Sequence, residues 1–299
     1  MKNMNPEKYK SPSRGGFTLV EVLVSSFLTL IIMGMLFSVL VGTMNAWEGG
    51  TSRLKSAGDA RLALDILKTD LESLVARQTQ YNQEWILSEP YEVEGIQNTR
   101  LLFFAPSLDR KVDDSGDIVA LSYKVAFQDP ISPSSNVEPI FGLYKGMTDT
   151  VVAFNNVLGN TDLDVFWSDS STSYSFSWNE TSTPVELALD NRGFLAPNVV
   201  QFNITWLIRN ATTDNIDRYG PENTIKLSNQ LIAENESTGW GPFTVGKIEA
   251  ADVSITSISD EGMRRYAFLN GSGSITAAQS NAIIKEFGRT HTMRVPISY

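Results

Sequence analysis

The chain has 299 residues, 42% hydrophobic and 19% charged, a composition typical of a folded protein with one or two domains rather than of a disordered chain. Its formal net charge of −10 disfavours nucleic acid as a partner, because neutralising phosphates requires clustered Lys and Arg. The absence of cysteine excludes disulfides, thiolate metal ligands and thiol nucleophiles.

The first 16 residues are basic, unlike the rest of the chain. They contain three lysines and one arginine against one glutamate, a net charge of +3, which leaves −13 for the remaining residues. A basic start followed directly by an apolar run is typical of a chain whose N-terminus stays in the cytoplasm while the rest crosses the membrane. We therefore expect residues 1–16 to be a leader and the acidic bulk to lie outside.

An apolar run follows the leader. The 25 residues from Phe17 to Val41 contain a single ionisable side chain, that of Glu21. As a helix they would be about 37 Å long, enough to cross a hydrocarbon core of about 30 Å, so the run predicts a transmembrane helix over residues 17–44. A secretory signal would have a shorter apolar core and a small-x-small cleavage site after it, and the residues after Val41 provide no such site.

Glu21 is costly in such a helix, because a charged side chain at the bilayer centre costs about 2.5–3.5 kcal/mol on insertion scales. It requires a partner or protonation, unless it lies near the cytoplasmic interface and extends to water.

The second helical stretch is amphipathic. After Gly49 and Gly50, apolar residues recur at alternating spacings of four and three and predict an amphipathic helix over residues 45–84 with its apolar face against a core. These residues are Ala60, Leu64, Leu67, Leu71 and Leu74. The glycine pair is either a hinge or a weak part of the helix.

Residues 85–299 have the pattern of a β-rich domain. The clearest strand alternates Val200, Phe202, Ile204, Trp206 and Ile208 on one face. Weaker runs are 101–105, 118–127, 140–145, 185–189, 248–258 and 293–297. Residues 168–177 and 210–236 are rich in turn-forming residues and are expected to be loops. Nearby aromatic residues form either a partner- or glycan-binding surface or part of the packing: Trp167, Tyr174, Phe176 and Trp178.

The N-terminal residues Arg14-Gly15-Gly16-Phe17-Thr18-Leu19-Val20-Glu21 closely resemble the signal of type IV pilins and pseudopilins. The resemblance implies that a prepilin peptidase recognises Arg14 and Gly15, cuts after Gly16 and methylates the new N-terminal Phe17. It implies that Glu21 pairs with the N-terminal amine of a neighbouring subunit. It also implies a pilin-like α+β fold, in which the second half of one long N-terminal helix packs on a C-terminal antiparallel β-sheet.

Within that class, the chain resembles the J-type minor pseudopilin of type II secretion through residues 61–71, 121–124 and 251–262. Residues 290–295 are also similar to the Verru_Chthon cassette protein C family. The resemblance implies a structural subunit of a pseudopilus or pilus-like filament, with I- and K-type-like subunits as partners. The protein would cross the bacterial inner membrane once, with its N-terminus cytoplasmic and its C-terminal domain periplasmic or in an extracellular filament.

Three patterns are candidate sites of chemistry, and none predicts an enzyme. Residues 241–247 fit GxxxxGK, but Ile248 replaces the Ser or Thr that binds magnesium. The single histidine, His291, has no nucleophile turn with it. Four acids could bind calcium, although a solvated turn is the favoured interpretation and no cofactor is expected: Asp109, Asp113, Asp114 and Asp117.

Two other functions remain open at this point. One is an anchored or filament-displayed adhesin or binding module that uses the pilin signal only for export. The other is a membrane-tethered enzyme, which would require His291 in a cleft beside acids.

Overall fold

The structure, a computed structural model, describes a defined set of residues: 16, 18–78, 83–106, 117–131, 139–147, 150, 153, 158, 163, 193–228, 232–237, 241–271 and 275–299. For residues 236, 237 and 241–244 it describes the backbone only. The chain divides into two compact units, Met1–Gly50 and Thr51–Tyr299.

The described residues form a long N-terminal helix, a set of strands and two short helices near the C-terminus. The helices are α1 (Leu19–Glu72), α2 (Asp260–Gly271) and α3 (Ala277–Phe287). The strands are β1 (Ile86–Val93), β2 (Ile96–Pro106), β3 (Ile118–Gln128), β4 (Ile140–Met147), β5 (Phe194–Pro197), β6 (Val199–Asn210), β7 (Ile216–Tyr219), β8 (Thr224–Leu227), β9 (Ala233–Ser237), β10 (Gly241–Ile258) and β11 (Gly288–Pro296).

The eleven described strands belong to one antiparallel sheet, in which ten follow the order β5-β4-β3-β2-β1-β8-β9-β10-β6-β7 and β11 pairs with β10. The long strand β10 pairs with three other strands of this sheet. One of its edges pairs first with β9 and then with β11, and the other pairs with β6. The predicted fold class, α+β with a long N-terminal helix and an antiparallel sheet domain, is confirmed.

Two parts of the sheet, distant along its order, contact each other through polar as well as apolar side chains. Asn98 of β2 accepts a hydrogen bond from the backbone N–H of Phe202 in β6 (2.9 Å). The indole of Trp206 donates to the hydroxyl of Ser88 in β1 (2.9 Å). Because Asn98, Phe202 and Trp206 are fully buried, these bonds satisfy polar groups that would otherwise be costly inside the core.

The second half of α1 contributes a full face to this core. Its buried side chains are Ser56, Ala60, Ala63, Leu64, Leu67 and Leu71. The predicted apolar stripe is therefore confirmed, as is the strand with its inward-facing residues from Val200 to Ile208. Gly49 and Gly50 both have helical conformation within α1.

The helix ends earlier than the sequence pattern predicts. It stops at Glu72 rather than near residue 84, and residues 73–78 are not helical. The reason is a competing partner, because the backbone N–H of Val75 donates to the carbonyl of Phe104 in β2 (2.8 Å). Leu74 remains buried beyond the helix end.

Two further expectations for the C-terminal region are wrong. Residues 210–236, expected to be a loop, contain β7, β8 and most of β9. Helices α2 and α3 interrupt the run of strands, and α3 begins with a reciprocal capping box between Thr276 and Gln279. The predicted strand 185–189, the loop 168–177 and the four aromatic residues from Trp167 to Trp178 lie outside the described residues.

Candidate membrane-insertion and assembly segment

The first half of α1 is apolar on every side. The 23 residues from Leu19 to Val41 form about 35 Å of helix, and all their side chains are exposed in the chain by itself. By length and composition, this is the one helix in the described part of the chain that could cross a membrane. A helix that is apolar all round requires lipid or other helices around it.

Two of the hydroxyl groups in this segment are satisfied within the helix itself. Ser26 donates to the carbonyl of Leu23 (2.9 Å), and Thr29 donates to the carbonyl of Ser25 (2.7 Å). Hydroxyls that bond to their own helix leave fewer polar groups to be desolvated in a hydrocarbon environment. Ser26 and Thr29 therefore add little to the cost of placing this segment in lipid.

The helix begins with a capping box formed by Thr18 and Glu21. The Thr18 hydroxyl oxygen accepts a hydrogen bond from the backbone N–H of Glu21 (3.3 Å). In return, the Glu21 carboxylate accepts from the backbone N–H (3.5 Å) and the hydroxyl (3.4 Å) of Thr18. These bonds satisfy donors that a helix start leaves free, and they place an acid in the first turn, where the helix dipole favours it.

This partner of Glu21 was not predicted, although the sequence carries its signal. Thr18 precedes the first apolar residue of the helix, and Glu21 follows it three positions later, which is the S/T-x-x-E pattern. Glu21 thus has a local hydrogen-bonding role in addition to its predicted pairing with a neighbouring subunit.

The other predicted site residues lie at the edge of the described chain. Gly16 is exposed, and a Cβ added to it would have no heavy atom within 4 Å. Arg14, Gly15 and Phe17 lie outside the described residues. Cleavage after Gly16, methylation of Phe17 and leader recognition therefore remain predictions.

Within the second unit, an ionic contact joins α1 to the sheet at Asp70. The hydroxyl of Tyr123 in β3 donates to the Asp70 carboxylate, and the Lys145 ammonium of β4 lies 2.5 Å from the same oxygen. Burial raises the pKa of Tyr123, and the negative charge of Asp70 raises it further. Tyr123 is therefore held as a hydrogen-bond donor, and the group fixes the helix on the sheet.

The environment of His291 does not resemble that of a catalytic histidine. It lies in β11 opposite Ile255 of β10. Burial lowers the pKa of His291, and the nearby positive charge of Arg61 lowers it further. A general base oriented by an acid would have the opposite kind of neighbour.

The other candidate sites give no support for chemistry. Asp117 is exposed, whereas Asp109, Asp113 and Asp114 lie outside the described residues. Within the ranges that are described, no group of three His, Cys, Asp or Glu side chains could hold a metal ion.

The GxxxxGK pattern lies inside strand β10 rather than in a loop before a helix. Its Gly246 has φ of +147° at a register shift between β9 and β10, and a Cβ there would lie 1.8 Å from the carbonyl oxygen of Arg209. Only glycine fits this close approach of two strands, which explains the residue without a nucleotide.

Comparison with known proteins gives one match to a family model, over the N-terminal segment, and a similarity to a solved structure. Residues 11–37 match the prokaryotic N-terminal methylation motif. No curated protein sequence matches the chain. Among solved structures, the chain is similar to the type IV-like pilin TTHA1219 from Thermus thermophilus, with 9% identity, a TM-score of 0.34, and coverage of 81% of this chain and 95% of that one. The chain thus carries a prokaryotic N-terminal methylation motif at the start of a long apolar helix.

Proposed function

We propose that this protein is a pilin-like structural subunit of a pseudopilus or pilus-like filament. A prepilin peptidase cuts after Gly16 and methylates Phe17, and the mature chain then associates with other subunits through α1. The observation that carries the proposal is that the methylation motif, residues 11–37, coincides with the start of α1, where the apolar side chains of residues 19–41 are all exposed.

The role that fits this segment is mechanical rather than catalytic. An apolar helix without a covering surface in its own chain gains stability by leaving lipid only if other helices replace it, and small residues such as Gly34 and Gly42 permit close approach. Association of such helices builds a filament core. Before assembly the chain sits in the inner membrane with its N-terminus cytoplasmic and the sheet domain on the far side, as the basic leader favours.

Within this class, the resemblance to J-type minor pseudopilins favours a subunit at or near the tip of a type II secretion pseudopilus, with I- and K-type-like partners. The N-terminal amine of a neighbouring subunit is the proposed partner of Glu21. In lipid such a pair offsets the cost of burying the carboxylate, and it would fix the register of a subunit entering the filament.

Mass spectrometry of the full chain, co-expressed with a prepilin peptidase and extracted from membranes, tests the processing step. We expect a mature N-terminus of N-methylated Phe17, and we expect Gly16→Leu to leave the leader uncut, while Asn3→Leu, outside the matched residues, is cut normally. A mature protein that starts at Met1, or that is cut after Val41, would refute the proposal.

A further inference from the structure

Large apolar side chains follow one side of α1 in the first unit and continue beyond the apolar run that ends at Val41. They recur at spacings of three and four residues, and each is more than half exposed: Met33, Leu36, Leu40, Met44 and Trp47. Trp47 is the last member of this apolar row within the first unit, and its side chain is 74% exposed. A ring of this size at the end of an exposed apolar row indicates a surface that meets a partner.

The chemical character of the helix changes in the turn that contains Trp47. No ionisable side chain lies between Glu21 and Glu48, and Asn45 is the first amide side chain of α1. One helical turn thus combines an aromatic ring with an amide and a carboxylate. This composition is typical of the boundary between the hydrocarbon core of a membrane and water.

The length of the helix up to Trp47 agrees with the thickness of a bilayer. From Leu19 to Trp47 the helix is about 42 Å long, at 1.5 Å per residue. A bilayer is about 30 Å thick in its hydrocarbon core and about 40–45 Å thick with its headgroup layers. When the start of α1 lies at the cytoplasmic interface, Trp47 therefore reaches the headgroup layer of the opposite leaflet.

The other side of the same helix is suited to protein contacts. Gly34, Ser38 and Gly42 follow one another at intervals of four residues, on the side of the helix opposite the apolar row, and all three are exposed. Small residues at this spacing let a second helix approach closely, whereas large apolar side chains keep it at a distance. The apolar row, with Trp47 at its end, is therefore the side that faces lipid.

We propose that Trp47 anchors α1 in the interfacial layer of the membrane, in the leaflet opposite the leader. Its ring packs among the acyl chains next to the headgroups, and its indole N–H faces the headgroup oxygens, as expected for tryptophan at a membrane interface. This inference rests on the proposed function and deepens it, because it assigns a lipid contact that fixes the depth of the helix. It moves the end of the membrane-embedded part from residue 44 to Trp47.

Fluorescence quenching by brominated lipids measures the depth of Trp47. The processed full chain is reconstituted at a low protein-to-lipid ratio into phosphatidylcholine vesicles with bromine either near the headgroups or near the chain ends. The chain has six tryptophans, so the difference between the wild type and Trp47→Phe isolates the signal of Trp47. We expect bromine near the headgroups to quench this signal about twofold or more strongly than bromine near the chain ends.

Phe37→Trp in the Trp47→Phe background is the matched control. Phe37 is 67% exposed on the same helix and lies about 15 Å closer to its start, near the bilayer centre. Its replacement by tryptophan should therefore give a signal that bromine near the chain ends quenches more strongly. Quenching of the Trp47 signal by neither lipid, or mainly by bromine near the chain ends, would overturn the proposal.

Cysteine labelling in spheroplasts tests whether Trp47 fixes the depth of the helix, because the chain contains no other thiol. Met44→Cys should react slowly with a membrane-impermeant maleimide, compared with Leu54→Cys as an exposed reference. Adding Trp47→Ser moves the end of the apolar run back towards Val41 and should raise the rate at Met44→Cys about threefold or more, whereas Trp47→Tyr should leave it unchanged. Equal rates with Trp47 and Trp47→Ser would count against the anchor.

Mass spectrometry of the N-terminus in the same samples separates this inference from the proposed function. A chain that starts at N-methylated Phe17 but shows no quenching of Trp47 near the headgroups overturns the anchor alone. A chain that starts at Met1, or after Val41, overturns the proposed function whatever the depth of Trp47.

Discussion

At the scale of single residues, Glu21 combines two roles that substitutions can separate. Its carboxylate closes the capping box with Thr18, and its charge is proposed to pair with the N-terminal amine of a neighbour. Gln in this position retains the oxygen that accepts from Thr18 but removes the charge. Thr18→Ala removes the capping hydroxyl but keeps the charge of Glu21.

We expect Glu21→Gln to be processed after Gly16 but to reduce co-purification of neighbouring pilin-like subunits by about tenfold or more, because loss of one partner of a desolvated charge pair costs about 2–5 kcal/mol. Thr18→Ala should lose only a helix cap, at about 1 kcal/mol, and should co-purify nearly as well as the wild type. Equal loss in both variants would show that the cap, and not the charge, matters for assembly.

At the scale of elements, Asp252 connects strands that do not all pair directly. On β10 it accepts hydrogen bonds from Arg294 of β11 (2.6 and 2.8 Å) and from Arg218 of β7 (3.0 Å). The hydrogen bond from Arg294 is the main reason that the pKa of Asp252 is lowered. A carboxylate with a lowered pKa stabilises the fold above its unfolded pKa of about 3.9, and this stabilisation is lost as pH falls through the folded pKa.

Urea unfolding of the full chain in detergent, measured between pH 7 and about pH 2, tests this contribution. We expect Asp252→Asn to be less stable than the wild type at pH 7 and the difference to narrow below about pH 4. In an Arg294→Gln background, Asp252→Asn should have a smaller effect at pH 7. Parallel stability curves for the wild type and Asp252→Asn down to pH 2 would contradict the assignment.

The elements also show which parts of the fold the sequence predicts. The stripe of α1 and the alternation of β6 are long, regular and buried on one face, so local spacing identifies both. Strands β7, β8 and β9 have only four or five residues among turn formers, and their stability comes from distant pairing, as between Leu227 and Ile86. Local sequence does not contain that information.

The ionic contact between α1 and the sheet could not be predicted for the same reason, because its residues are distant in sequence. The sequence around Asp70 does not indicate an ionic contact, because its partners Tyr123 and Lys145 follow 53 and 75 residues later. The caps at Thr18/Glu21 and Thr276/Gln279 differ from this case, because both have a local four-residue signature. They could have been predicted from the sequence, but the apolar periodicity alone does not identify them.

At the scale of the whole molecule, the division into two units predicts how the chain tolerates truncation. The buried apolar cluster that includes the face of α1 from Ala60 to Leu71 lies entirely within the second unit. Residues 51–299 should therefore fold without the first 50 residues. Circular dichroism is expected to show a single thermal transition, with a midpoint close to that of the sheet domain in the full chain.

Removal of the rest of α1 provides the matched comparison. A fragment of residues 73–299 loses six buried helix side chains and leaves Lys145 without Asp70, and each large apolar side chain lost from a core costs about 2–5 kcal/mol. Because typical domains are stable by only about 5–15 kcal/mol, this fragment should be unfolded or aggregated. If it unfolded cooperatively near the midpoint of residues 51–299, the second half of α1 would be a surface addition rather than part of the core.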